Sequence, residues 1–329
     1  MRLIYLCLAS CFALTTGPAW AAPTASSAAA SSAQPAPKPA GKPPAPAATP
    51  PAKSPATQPP AKSTAAPAVA NNLPPSEVRS AAELCAQMVR RLPNVSRPLC
   101  DRAELQTGPG ASVRGTPIFQ RDVVAPQARL KVLVVGGIHG DEPSSSSLVL
   151  HWIDQALLTP SNIHWRFVPL MNPDGMLKDK PTRTNARGVD LNRNFPTPNW
   201  DKEAPMYWAK RTGSDPRRFP GAKPLSEPES QWLHEEMARW KPDLIVAVHA
   251  PYGVLDFDGP HVPPQRLGRL YLDQVGIFPG SLGNYGGVHK KLPVVTIELT
   301  SALRTPQSAE MRQMWLDLLR WTADRLGAD

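Results

Sequence analysis

The chain has 329 residues, 41 of them proline, and a net charge of +9, whereas proline ordinarily makes up about 5% of a chain. Fifteen of the prolines fall within residues 22–75, a stretch with no Asp, no Glu and no aromatic side chain. It cannot bury enough apolar surface to offset the entropy of ordering, which excludes it as a folded domain. Residues 76–329 suffice for one large core, and they contain no run of Lys and Arg of the kind that tracks a nucleic acid, which excludes that class of partner.

In chain order, Arg2, an apolar run over residues 3–14 and Ala19-Trp20-Ala21 read as an export leader over residues 1–21. The run is shorter than the roughly 20 residues that span a bilayer. No stable membrane insertion is therefore expected after leader removal, and the expected location is periplasmic. Leu8-Ala9-Ser10-Cys11 also resembles a lipoprotein box that would anchor the chain at Cys11, but so few residues precede it that cleavage near Ala21 is favoured. Residues 22–75 read as a semi-extended tether rich in Pro, Ala and Lys. Cys85 and Cys100 remain once Cys7 and Cys11 leave with the leader, and in an oxidising compartment they are expected to form a disulfide. That bridge would staple an N-terminal cap (76–114) to the main domain (115–329).

The rest alternates strand and helix patterns. Residues 130–138 (LKVLVVGGI), 163–170, 243–249 (DLIVAVH) and 292–299 (LPVVTIEL) read as buried strands. Residues 144–158 carry apolar side chains at helical spacing, and Ser226-Glu-Pro-Glu229 reads as a capping box opening a helix that buries Trp232, Leu233, Met237 and Trp240. A last helix after Thr305-Pro306 would bury Met311, Trp315, Leu318 and Thr322. The alternation predicts an α/β sandwich with a central mixed, largely parallel sheet flanked by helices.

Three of these strands end in groups that can carry chemistry: His139-Gly-Asp-Glu142, His249 and Glu298. Ligands of open α/β sheets bind at the carboxyl ends of strands. Two imidazoles and a carboxylate meeting there supply the donor set of a catalytic zinc with one position left open. Between them, residues 183–196 (RTNARGVDLNRNFP) mix Arg183, Arg187 and Arg193 with Asn and with apolar Val189, Leu191 and Phe195. Such a partly packed segment suits an anion-binding wall, since arginine clamps carboxylates through paired hydrogen bonds. His151, His164 and His234 read as structural. Asp256 and Asp258 read either as an Asp-Gly turn or as a contact for a substrate ammonium group.

His139-x-x-Glu142, Asn172-Pro-Asp-Gly175, Gly188-Val-Asp-Leu-Asn-Arg-Asn-Phe195, His249 and Glu298, in that order, resemble the M14 zinc carboxypeptidase family over residues 115–326. His-Gly-Asp-Glu, the Asn-Ala-Arg-Gly-Val-Asp-Leu-Asn-Arg-Asn-Phe-Pro run and His249-Ala-Pro251 resemble its bacterial murein peptide amidase branch. The resemblance implies a carboxypeptidase-like sandwich holding one Zn²⁺ on His139, Glu142 and His249, with Glu298 as general base and Arg183 stabilising the oxyanion. It further implies that Asn192 and Arg193 bind the substrate carboxylate; Tyr285, in the glycine-rich segment 280–287, reads either as the family's tyrosine on a lid that closes over the substrate or as a plain surface tyrosine. The implied activity is hydrolysis of peptidoglycan-derived peptides at the γ-D-glutamyl–diaminopimelate bond. A secreted metallocarboxypeptidase, an acyl-amino-acid deacylase and a non-catalytic wall-binding module remain open alternatives.

Overall fold

A computed structural model describes residues 73–327. The expected leader, Cys11 and all of the tether but its last three residues lie outside them. Two short helices, α1 (Ala81–Arg91) and α2 (Arg97–Arg102), come first and are bridged by a Cys85–Cys100 disulfide. A seven-stranded sheet follows, built from β1 (Gln106–Ala111), β2 (Pro117–Val123), β3 (Leu130–Val135), β4 (Ile163–Val168), β5 (Leu244–His249), β6 (Val254–Asp258) and, after a small hairpin of β7 (Arg266–Leu267) and β8 (Leu270–Tyr271), β9 (Val294–Glu298). The strand order is β1-β2-β4-β3-β5-β9-β6. The four central strands are parallel; β6 at one edge and β2 at the other run against them, and β1 pairs antiparallel with β2. The expected mixed, largely parallel sandwich is what forms.

Alternation along the central strands explains two cores. Val132 and Val134 of β3 face one cluster, shared with α3 (Pro143–Leu158), α7 (Ser308–Leu326) and the α1–α2 pair. Leu133 and Val135 face the other, under α6 (Pro228–Trp240). A strand buried on both faces therefore reads as an unbroken β-branched run. The residues expected on the inner faces of α6 and α7 are all buried. The first cluster joins Leu84, Met88 and Leu99 to Trp152 and Trp315. The cap thus shares a core with the sheet, and β1, inside the segment expected to be a cap, is itself a sheet strand. Among the described residues no helix is long and apolar enough to cross a membrane.

Two expectations are corrected. Ser226 does not cap α6: its hydroxyl bonds the Glu227 carboxylate and accepts from Asn194, and Glu227 is the N-cap residue, without a side-chain capping bond. Glu229 turns inward, where its carboxylate accepts from Val113 N (3.0 Å) and Asn185 Nδ2 (3.2 Å). Residues 254–258 are not a turn but β6, with Leu255 and Phe257 in the core and Asp256 and Asp258 on the other face. The described residues also form the single turn α4 (Pro173–Met176), the helix α5 (Trp200–Arg211) and 3-10 turns at Leu191–Arg193 and Pro216–Arg218.

Candidate active site

The chain leaves β3 for β4 on one side and returns to β5 on the other, so the β3/β5 boundary is the switch point where open α/β sheets bind ligands. His139 follows β3, Glu142 stands at the N-cap of α3, and His249 ends β5. Gly140 between the first two is required: a Cβ there would come within 2.3–2.5 Å of Gly175, Met176 and the Thr182 carbonyl. Asn172 secures the same junction. Its Oδ1 accepts from Gly175 N, and its Nδ2 donates to the carbonyls of Ile138 and Arg183.

His139, Glu142 and His249 converge, all buried, with donor atoms within 4.8 Å of one another. His139 Nδ1 lies 2.8 Å from Glu142 Oε1 and 3.2 Å from His249 Nδ1, and His249 Nδ1 lies 3.3 Å from Glu142 Oε2. A tetrahedral ion about 2.0–2.1 Å from each donor would set neighbouring donors about 3.3 Å apart. The spacing and the two-nitrogen, one-carboxylate chemistry fit zinc. Packed this closely, the two imidazoles hold the Glu142 carboxylate far below its ordinary pKa against the opposing effect of burial.

Sequence reasoning missed the residue beneath this trio. Asp190, fully buried, takes His139 Nε2 on one oxygen (3.1 Å) and Arg183 Nε on the other (2.9 Å). An outer carboxylate of this kind fixes the tautomer and orientation of a metal-binding imidazole. It works against burial, and the Arg183 guanidinium and His139 hold it well below the ordinary Asp value. Its only signal was an acid in the middle of an arginine- and asparagine-rich motif.

Glu298 pairs in register with His249 across β5 and β9 and lines the same cavity of about 700 Å³. Burial raises its pKa, the Glu142 charge adds to the rise, and His249 opposes it. Arg183 stands beside Glu142, its Nη1 3.4 Å from Oε1. Asn192 Oδ1 accepts from Leu282 N (2.8 Å), which orients its amide, and Arg193 is buried with Nη1 on the Asn192 carbonyl (2.7 Å) and Nε unpartnered. Burial pulls the Arg193 guanidinium below its ordinary pKa, partly offset by Asp190. Asp256, Asp258 and Asp273 line the cavity as well. Burial raises Asp256, and burial with the Asp256 charge pushes Asp258 up to about 6.

Tyr285 does not line the cavity. It is buried, hydrogen-bonded through its hydroxyl to His234 Nδ1 (2.7 Å) and stacked on Phe195. The segment expected to be a lid is latched to residues 192–197 and continues into a π-helical turn over Asn284–His289. Tyr252 and Phe278 are the aromatic side chains that line the cavity, and sequence reasoning assigned neither of them.

The profile of the family described as zinc carboxypeptidase matches residues 100–257. Murein peptide amidase A of Escherichia coli (strain K12) is 32% identical over 238 residues, covering 69% of this chain and 96% of that protein. The chain belongs to the M14 zinc carboxypeptidase family. The Vibrio campbellii murein peptide amidase A is 30% identical over 214 residues, covering 61% of this chain and 83% of that protein. Bovine thrombin-activatable fibrinolysis inhibitor, solved with a tick carboxypeptidase inhibitor, superposes with a TM-score of 0.52 at 18% identity, over 74% of this chain and 94% of that one, which shows the shared fold. Membership makes the chain a metallohydrolase of the zinc carboxypeptidase type.

Proposed function

We propose that this chain hydrolyses peptidoglycan-derived peptides at the γ-D-glutamyl–diaminopimelate amide, in the periplasm. The observation that carries the reading is Arg193: a buried guanidinium with an unpartnered Nε, in a cavity that four aspartates also line, Asp141, Asp256, Asp258 and Asp273. An unpaired buried charge is costly, and a ligand carboxylate satisfies it with a strong hydrogen-bonded pair. A cavity lined by both signs suits a leaving group that carries a carboxylate beside the scissile nitrogen and an ammonium farther out, and diaminopimelate has both. The relatives' names support murein peptides as the substrate class. The Cys85–Cys100 disulfide supports an oxidising compartment.

His139, Glu142 and His249 would hold the zinc, with Asp190 orienting His139 from behind. When bound, the ion supplies Lewis-acid chemistry and brings the pKa of water toward about 7. Asn192 and Arg193 fix the substrate by the carboxylate next to the scissile bond. Asp256 takes the distal ammonium group. Arg183 presents its guanidinium where the amide oxygen gains negative charge, an arrangement that costs no reorganisation during reaction. Glu298 accepts the proton of the attacking water and returns it to the departing nitrogen.

The test is incubation of the zinc-loaded chain with L-Ala-γ-D-Glu-diaminopimelate, with free diaminopimelate measured by chromatography. Release of diaminopimelate is expected. Cleavage of ordinary C-terminal peptides without such release would replace this reading with that of a general carboxypeptidase.

A further inference from the structure

Arg193 combines features that rarely occur together. Its guanidinium is buried, and no carboxylate pairs with it among the described residues. Asp190, the acid whose charge favours the Arg193 guanidinium, is already committed to Arg183 and His139. What Arg193 has instead is a ring: its Cζ lies 4.5 Å from the centroid of Phe278. An aromatic face attracts a cation through its quadrupole without occupying an N–H. A carboxylate partner would also have stabilised the guanidinium, but it would have taken the edge that a substrate carboxylate needs. Phe278 stabilises the face and takes none of the N–H groups, of which Nη1 alone is given to the Asn192 carbonyl among the described residues.

The ring is held in turn. Tyr207 of α5 meets it edge-on with centroids 5.8 Å apart. The strand of chain that follows is zipped to the arginine segment: Gly280 N donates to Thr197 Oγ1 (3.0 Å), Phe195 N to the Gly280 carbonyl (3.0 Å), and Leu282 N to Asn192 Oδ1 (2.8 Å). Gly280 has φ +76°, and a Cβ there would lie 1.9 Å from the Arg193 carbonyl. The contact therefore depends on glycine for both its conformation and its closeness. One strap orients Asn192 through its backbone and Arg193 through its ring.

We infer that Phe278 is a positioning residue for the carboxylate clamp, holding the Arg193 guanidinium by its face within a fixed strap, residues 278–282, so that the pocket selects an anionic group beside the scissile bond. This rests on the reading of Asn192 and Arg193 as that clamp. The experiment compares the zinc-loaded full chain with Phe278→Leu and Phe278→Tyr. Each is assayed on L-Ala-γ-D-Glu-diaminopimelate and on the same tripeptide amidated at the carboxylate next to the scissile nitrogen. Inhibition by free diaminopimelate is measured in parallel.

Phe278→Leu is expected to raise KM for the free acid and Ki for diaminopimelate about ten-fold, with a smaller change in kcat and little change on the amide. Phe278→Tyr, which keeps the ring, should stay within about two-fold of the parent. Unchanged KM and Ki in Phe278→Leu, or an equal loss on acid and amide, overturns the inference while the clamp stands. A parent chain that uses acid and amide equally overturns the clamp and the inference with it. If Phe278→Leu does not fold, Tyr207→Leu, which removes the ring's support, is expected to raise the same two constants about three-fold; no change there has the overturning meaning.

Discussion

The groups lining the cleft are held in place in two different ways. His249, Glu298 and Asp256 lie on β5, β9 and β6, and main-chain pairing sets their positions: His249 opposite Glu298, Asp256 opposite Thr296. Arg183 lies on a loop and Asn192 and Arg193 on a single 3-10 turn (Leu191–Arg193), where bonds made by side chains provide the support: Asp190 under Arg183, Asn192 Oδ1 on Leu282 N, and Asn185 between the carboxylates of Glu227 and Glu229. A strand keeps its geometry when one side chain is exchanged, because its hydrogen bonds belong to the backbone. A loop braced by side chains loses geometry and stability together. Substitutions on the strands should therefore alter chemistry alone, and those beneath the loop should alter both.

The largest effect tests the strand side. Glu298→Gln should lower kcat by about 10²–10⁴-fold, with zinc content and melting temperature near those of the parent. Metal analysis and calorimetry beside the tripeptide assay check this, and a large loss of stability would blur the distinction. Next comes the loop side. Asp190→Ala removes the partner of both His139 and Arg183, so zinc should bind about 10–100-fold more weakly. Breaking a buried pair should also lower the melting temperature by on the order of 10 °C. Competition with a chelator measures the first quantity and a thermal scan the second.

How much of this was legible in the chain follows the same division. The four buried strands, the helices that follow them and the residues of the His139, Glu142 and His249 cluster were readable, because β-branched runs and strand-end histidines are local signals. Asp190 was not, since an acid among arginines looks like a solvated loop until its two partners are placed in space. Ser226 satisfied the spacing of a capping box, but Asn194, distant in sequence, captured its hydroxyl. Tyr285 sat in a glycine-rich segment of lid-like composition, and only the packing shows its hydroxyl on His234. β6 carried a readable alternation of Leu255 and Phe257 with Asp256 and Asp258, obscured by the Asp-Gly at its end.

Two smaller effects sharpen the comparison. Asp256→Asn should raise KM for the diaminopimelate substrate about ten-fold, the range of one charge-assisted hydrogen bond. Stability should not fall, because burial already disfavours the Asp256 charge; steady-state kinetics and urea unfolding test the two halves. Glu229 braces the loop, and burial pushes its pKa up to about 7 from an ordinary 4.5. Between those values the folded chain holds a proton that the unfolded chain has released, so stability should fall as pH rises through that window. The drop is on the order of 3 kcal/mol at most. Urea unfolding at pH 5 and pH 8 should show a steeper fall in the parent than in Glu229→Gln, where the raised Asp256, Asp258 and Glu298 carboxyls still contribute; the same pH slope in both would remove Glu229 as a cause.

The central claim, one zinc on His139, Glu142 and His249 serving amide hydrolysis, is tested most directly by stripping the metal with a chelator and titrating zinc back while following diaminopimelate release. The account predicts that activity disappears on stripping and returns linearly to a plateau at one zinc per chain. Activity that survives stripping, or a plateau at any other stoichiometry, would contradict it.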